Sequence, residues 1–154
     1  MATAKGLCFA LEIPLIGVPT LETMSRTALQ FPGSHHRFLC PLIDARRMEV
    51  YTCIFDENLS VVRELDAVIV DEESFLPDLE KGPVLFFGDG MPKIRPLLEP
   101  HANAFFLEGI IPSSLFMAKT AFQKFKAGDF EDVAYAEPIY YKDFQPTTPR
   151  KKLL

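Results

Sequence analysis

The stretch Pro41-Leu42-Ile43-Asp44-Ala45-Arg46-Arg47-Met48-Glu49-Val50-Tyr51 sets two apolar, β-rich runs on either side of a short charged turn. That is the pattern of a β-hairpin in any protein. Followed outward, it predicts strands over 37–43 and 48–55. With the turn centred on Arg46-Arg47, Leu42 faces Tyr51, Cys40 faces Cys53 and Phe38 faces Phe55, all on one face by the period of two. Leu39, Ile43, Val50 and Ile54 fall on the other. A hairpin apolar on both faces is a covered, central element of a sheet. Cys40 and Cys53 become cross-strand neighbours, with packing as their default role and a disulfide as the exception.

Upstream, residues 1–11 read as a helix of good formers, weakened at Gly6 and stopped by Pro14. Ile13 to Val18 reads as a short strand. Thr20 is placed to N-cap a helix over 21–30, with Glu22 in its first turn. Phe31-Pro32-Gly33-Ser34 is a loop and marks the boundary of a first segment, 1–33, from a second, 34–142. Downstream, 61–70 holds a strand. Asp71-Glu72-Glu73-Ser74 opens a short helix through Leu79. Val84 to Phe87 is a buried strand ending in Gly88-Asp89-Gly90, followed by a helix over 92–98 and a strand over 104–107. The longest helix spans 112–126, capped by Ser113 or Ser114 and ended by Gly128, with Leu115, Met117, Ala118, Ala121 and Phe122 on its apolar face and Phe125 at its end. Residues 132–141 read as extended, and 143–154 as a disordered basic tail. Strands alternating with helices after an opening hairpin give an α/β fold, a mixed sheet covered by helices.

At 154 residues the chain is long enough for one domain with a real core. No apolar run approaches the ~18 residues that span a bilayer, and the N-terminus lacks the charged region and cleavage site of a signal peptide. Three cysteines without metal-ligand spacing point to the reducing cytoplasm. The net charge of −5 argues against a chain that grips nucleic acid alone. The single basic cluster, Arg150-Lys151-Lys152, reads as a solvated terminus.

Several words along the chain together resemble one family. Ile43-Asp44-Ala45-Arg46-Arg47-x-Glu49-Val50-Tyr51 resembles the opening of the second lobe of the TsaB (YeaZ) family, apart from Met48 where that family often has Gly. Ala4-Lys5-Gly6-Leu7 resembles its Ala-Lys-Gly-Leu helix, and Ile13 to Glu22 its next strand and helix start. Gly88-Asp89-Gly90 sits where it has a short Gly turn, and Ala136-Glu137-Pro138-Ile139-Tyr140-Tyr141 resembles its closing strand. The resemblance implies an actin-like ATPase (ribonuclease H-like) lobe. It also implies a departure: the family's Asp-Thr-Ser strand and Gly-Ser-Phe-Thr-Gly-Leu-Arg stretch have no counterpart. The expectation is therefore a piece beginning partway into lobe one, from an engineered fragment or a misassigned start.

Four groups of residues are candidates for function. The apolar and small residues Ala4, Leu7, Cys8 and Leu11 recur at helical spacing, which suits ordinary packing on the sheet; the resemblance implies instead a helix bundle with a second subunit. Asp44, Arg46, Arg47 and Glu49 form a polar set at the hairpin turn, either a contact to nucleotide or partner at the interlobe cleft or a wet set that pins the turn. Gly88, Asp89 and Gly90 follow a buried strand and precede a helix, as phosphate-facing turns do, and as plain tight turns do. His35-His36 and His101 lack the i, i+4 spacing of a metal-binding helix, and no Ser/His/Asp or Cys/His set can be placed.

The resemblance implies a non-catalytic scaffold. It would partner a TsaD-like transferase and a TsaE-like ATPase, self-associate, and meet tRNA only through the complex that forms threonylcarbamoyladenosine. No cofactor is expected in this chain, with ATP or ADP only in a full-length protein or complex, and no membrane contact. The alternatives are a peptidase, following the glycoprotease label of the superfamily, and a nucleotide-binding module.

Overall fold

The computed structural model describes residues 1–33 and 38–139. His35, His36 and Arg37, the closing Tyr140 and Tyr141, and the basic tail lie outside the described residues. Five strands form one sheet: β1 (Phe38–Asp44), β2 (Glu49–Asp56), β3 (Val61–Ile69), β4 (Val84–Phe87) and β5 (Ala104–Leu107). Their order is β3-β2-β1-β4-β5. β1, β2 and β3 are antiparallel neighbours, while β4 runs parallel to both β1 and β5. β4 is buried along its whole length. It lies between two other strands with helices on both faces, which is why Val84-Leu85-Phe86-Phe87 carries no polar residue.

Each face has its own core. On one, α3 (Leu76–Leu79) and α4 (Met91–Leu98) bring Leu79, Met91, Ile94 and Leu98 onto Cys40, Leu42, Val50, Ile54 and Phe86. Phe75, just before α3, meets Phe86 edge to face at 5.4 Å, and the buried Asp78 binds Arg63 of β3 at 3.0 Å. On the other face, α2 (Thr20–Ala28) lays Leu21, Met24 and Ala28 on Leu39, Cys53, Phe55, Leu85 and Phe87. Thus α2, which precedes the boundary suggested at Phe31–Ser34, is packed on the sheet that follows it. Its buried hydroxyls cause no penalty, because Thr23, Ser25 and Thr27 each donate to the carbonyl four residues back.

The hairpin is where the sequence places it, but its register is shifted by one residue. Leu42 pairs with Thr52 rather than Tyr51, and Ile43 takes Tyr51. The turn contains three residues, Arg46–Met48, closed by the Ala45 N–H to the Glu49 carbonyl at 3.1 Å. Because both faces of this hairpin are buried, its hydrophobic pattern does not discriminate between the two registers. The slip separates the cysteines: Cys40 lies in the α4-side core and Cys53 in the α2-side core. Thr52 Oγ1 donates to the Pro41 carbonyl at 2.9 Å, which leaves the Cys40 thiol as donor to Thr52 at 3.2 Å. Burial pushes Cys40 up to about 12 and Cys53 up to about 11, so both stay protonated and inert. In native protein, a thiol reagent is expected to label Cys8 fast and the other two only on unfolding. Fast labelling of more than one thiol would contradict this packing.

Other differences are local. Ile13–Val18 forms no strand: among the described residues its pairing is a single bridge, Leu15 to Glu131, and Pro14 and Pro19 offer no N–H to a ladder. α2 starts at Thr20, with Pro19 as N-cap, because the Pro19 carbonyl already accepts from the Thr23 N–H at 3.0 Å. Asp71–Ser74 is a turn rather than a helix start, since the Asp71 carboxylate accepts from the Glu73 N–H and from Ser74 Oγ. The long helix divides into a 3₁₀ turn, Ser114–Phe116, and α5, Met117–Ala127. Ser113 caps the first and Gly128, at φ 71°, ends the second. Residues 132–136 fold into a turn on the Asp132 side chain and carbonyl instead of extending.

Candidate functional site

At the end of the sheet where β1 becomes β2, the sequence candidates form one connected set. Arg46 and Arg47 both adopt left-handed backbone, at φ 68° and 48°, a conformation that glycine or asparagine meets more cheaply. The Asp44 carboxylate accepts from the Arg46 N–H and, at 2.7 Å, from Lys93 Nζ. Lys93 also donates to the carbonyls of Arg47 at 2.7 Å and Glu49 at 3.0 Å. One ammonium from α4 therefore closes the turn through three acceptors. The Lys93 hydrogen bond, then that of the Arg46 N–H, holds the Asp44 carboxyl below its ordinary 3.8.

Gly88-Asp89-Gly90 joins this set from β4. The Asp89 carboxylate accepts from the Asp44 N–H at 3.1 Å, and the Gly90 N–H donates to the Leu42 carbonyl at 3.1 Å. A Cβ on Gly88, at φ 109°, would run into the Leu42 carbonyl oxygen. The glycines thus let the turn lie directly on β1. The N–H groups of Gly90 and Met91 are spent inside the protein, the latter on the Gly88 carbonyl, and Pro92 has none. Beside the turn, a cleft of about 520 Å³ opens between α4 and the segment after β5, with Asp89, Arg95, Glu108 and Ile110 among its walls. Arg95 lies over Phe106 at 5.4 Å and binds Glu108 at 2.7 Å.

The third candidate, α1 (Ala2–Leu11), stands apart from the sheet. It buries none of its residues: Leu7 is 56% and Leu11 62% exposed, Ala4 is exposed, and Cys8 is half-buried with its thiol on the Pro14 carbonyl. Lys5 ties it to the Ala134 and Ala136 carbonyls at 3.0 and 2.9 Å. The structure brings Asp44, Arg46, Arg47, Glu49 and the Gly turn together and leaves α1 elsewhere. α5 shares the exposure of α1, for only Thr120 of it is buried while Phe122 and Phe125 face out. Lys93 and Arg95 are absent from the sequence reading. They lie on a helix whose apolar spacing speaks only for Met91, Ile94 and Leu98, and no local signal links Lys93 to a turn so far away. Among the described residues, no group of three or more His, Cys, Asp and Glu could hold a metal ion, and no helix is long and apolar enough to cross a membrane.

A mixed five-stranded sheet ordered β3-β2-β1-β4-β5, covered by helices on both faces, is a ribonuclease H-like lobe of the actin-like kind. A family model described as TsaD, tRNA N6-adenosine threonylcarbamoyltransferase, matches residues 1–136, and the chain belongs to this family, within its TsaB (YeaZ) group. It is 35% identical over 91 residues to the tRNA threonylcarbamoyladenosine biosynthesis protein TsaB of Bacillus subtilis, covering 55% of this chain and 37% of that protein. It is 29% identical over 147 residues to the protein of the same name from Escherichia coli, covering 91% and 62%. The chain thus spans less than two thirds of either curated relative. YeaZ from Pseudomonas aeruginosa superposes with a TM-score of 0.67 at 19% identity, over 90% of this chain and 65% of that one. A second Pseudomonas aeruginosa structure, of a protein described as similar to peptidase YeaZ, gives 0.70 at 18%, over 92% and 65%.

Proposed function

We propose that the chain acts in the formation of threonylcarbamoyladenosine on tRNA, as a TsaB-like subunit without chemistry of its own. It would dock on a TsaD-like transferase that works with a TsaE-like ATPase. The observation that carries this reading is α1, a helix with Leu7 and Leu11 outward and no side chain buried on its own chain. An apolar helix face of this kind fits a helix-bundle contact with a second protein. The negative charge of the chain suits a subunit that leaves tRNA to its partners.

Calorimetric titration of a TsaD-like protein with this chain tests the proposal. Binding is expected, and Leu7→Asp should weaken it about tenfold or more, as loss of an apolar interface anchor does, with little change in thermal stability because Leu7 covers nothing. Modified adenosine formed with TsaD, TsaE, tRNA and threonylcarbamoyl-adenylate gives the functional readout. No binding, or equal binding by Leu7→Asp, would defeat the reading. A second reading, nucleotide binding, draws on the cleft beside Gly88-Asp89-Gly90, and titration with ATP and ADP separates the two.

A further inference from the structure

The cleft between α4 and the segment after β5 has more negative charge than its own residues balance. Three carboxylates line it, Asp89, Glu99 and Glu108, and among its described lining residues Arg95 is the single cation. Arg95 divides that charge between two of them, with Nε on Glu99 at 3.4 Å and a terminal nitrogen on Glu108 at 2.7 Å. The nearby Lys93 is spent on Asp44 and on two carbonyls. The side chains of Glu99 and Glu108 are 63% and 75% exposed, so both still offer oxygens to a ligand. The rest of the wall is largely apolar, with Pro92, Pro96, the buried Ile110 and the exposed Ile111. Its volume of about 520 Å³ lies within the ~300–1,000 Å³ of clefts that hold ligands.

An occupant that complements this cleft carries ammonium or guanidinium groups beside aliphatic side chains, whereas a phosphate would have to displace Glu99 and Glu108 from Arg95. The chain holds one such word, Arg150-Lys151-Lys152-Leu153-Leu154. We propose that residues 150–154 dock in the cleft of their own chain, basic groups toward the carboxylates and leucines toward Ile110, Ile111 and the prolines. The tether is long enough. Ile111 leads through the 3₁₀ turn into α5, a helix of 11 residues and so about 16 Å long. From Ile139 to Arg150 the chain spans up to about 36 Å when extended, more than twice that length. A tethered segment also meets its site at an effective concentration of about millimolar, so even a weak contact is populated. The proposal is independent of the transferase reading, because it uses no residue of α1.

Methyl NMR of the full chain tests it. In Lys151→Glu/Lys152→Glu the methyl resonances of Ile110 and Ile111 are expected to move, while that of Ile54, deep in the other core, stays in place. Glu99→Lys/Glu108→Lys should release the segment equally, and the two double variants combined in one chain should bring the Ile111 resonance back, because the facing charges are then opposite again. Trypsin gives a second readout: cleavage after Arg150 should be about tenfold slower in the full chain than in a free peptide of residues 145–154, and the protection should fade at high salt, where exposed charge pairs are screened. Ile110 and Ile111 resonances indifferent to the reversal at Lys151 and Lys152 would overturn the proposal. So would cleavage after Arg150 as fast as in the free peptide. Resonances that move with ATP and not with the reversal would give the cleft to a nucleotide and overturn it too.

Discussion

Gly88→Ala is expected to lower the stability of the protein by about 3–5 kcal/mol, enough to leave much of it unfolded in mild urea. Two causes act together. The backbone at Gly88 has φ 109°, which side chains with a Cβ rarely adopt. The new methyl would also enter the Leu42 carbonyl oxygen and sit 2.7 Å from Met24 Cε. Met24 can shift its end; the carbonyl cannot. Leu42 belongs to β1, paired with β2, and its oxygen already accepts the Gly90 N–H. Relief therefore requires moving the end of β4 away from β1 and opening both cores at once. Urea denaturation measures the loss directly, and a change below about 1 kcal/mol would show that the turn can back away from β1 at little cost.

Lys93→Met should cost about 1.5–3 kcal/mol, the range for hydrogen bonds to a charged group. Methionine keeps most of the volume and removes the ammonium. The loss rests on the Arg47 and Glu49 carbonyls, which share the 16% exposed Lys93 side chain. Asp44 is open to water, and its part is screened. Without the clamp, only the Arg46 N–H on Asp44 and the Ala45 N–H on the Glu49 carbonyl remain to compensate the left-handed backbone of Arg46 and Arg47. The variant also carries a pH signature. In the intact protein the Asp44 carboxyl lies below its ordinary value, so its contribution is present above the unfolded-state pKa and fades as pH falls through the folded one. In Lys93→Met the carboxyl resonance should titrate closer to the ordinary carboxylate range, the Arg46 N–H alone holding it down. An unchanged titration together with unchanged urea stability would remove Lys93 from the design of the turn.

Much of this architecture is legible in the chain because local rules agree there. The charged turn between apolar runs, the uninterrupted Val84–Phe87 and the Gly-x-Gly before a helix each answer to one structural element. The register of the hairpin is not legible for a physical reason: strands covered on both faces show no clean alternation of apolar and polar residues, so Leu42 opposite Thr52 and Leu42 opposite Tyr51 satisfy the pattern equally. The turn length decides it, and a third loop residue, Met48, has no glycine to announce it. The short strand read at Ile13–Val18 fails differently, for a strand is defined by its neighbour, and among the described residues only Glu131 forms a β-bridge with it. Of the candidate residues, the turn set could be named from sequence, while the lysine that closes it could not: it stands 49 positions from Asp44 and is brought there by the packing of α4.

α1 has one further consequence. Helices of about ten residues are marginal in water, and most draw their stability from a face covered by the rest of the protein. α1 has ten residues and buries none of them; among the described residues it is held by the Lys5 clamp, the Cys8 thiol on the Pro14 carbonyl and the Ile13 N–H on the Cys8 carbonyl. Its winding is therefore conditional. A partner seated on Leu7 and Leu11, as proposed above, would supply the missing cover, so the amide protons of Lys5 to Leu11 would act as a built-in occupancy gauge. They are expected to exchange rapidly on a bare chain and to slow down when a partner is seated, while those of β1 stay silent throughout.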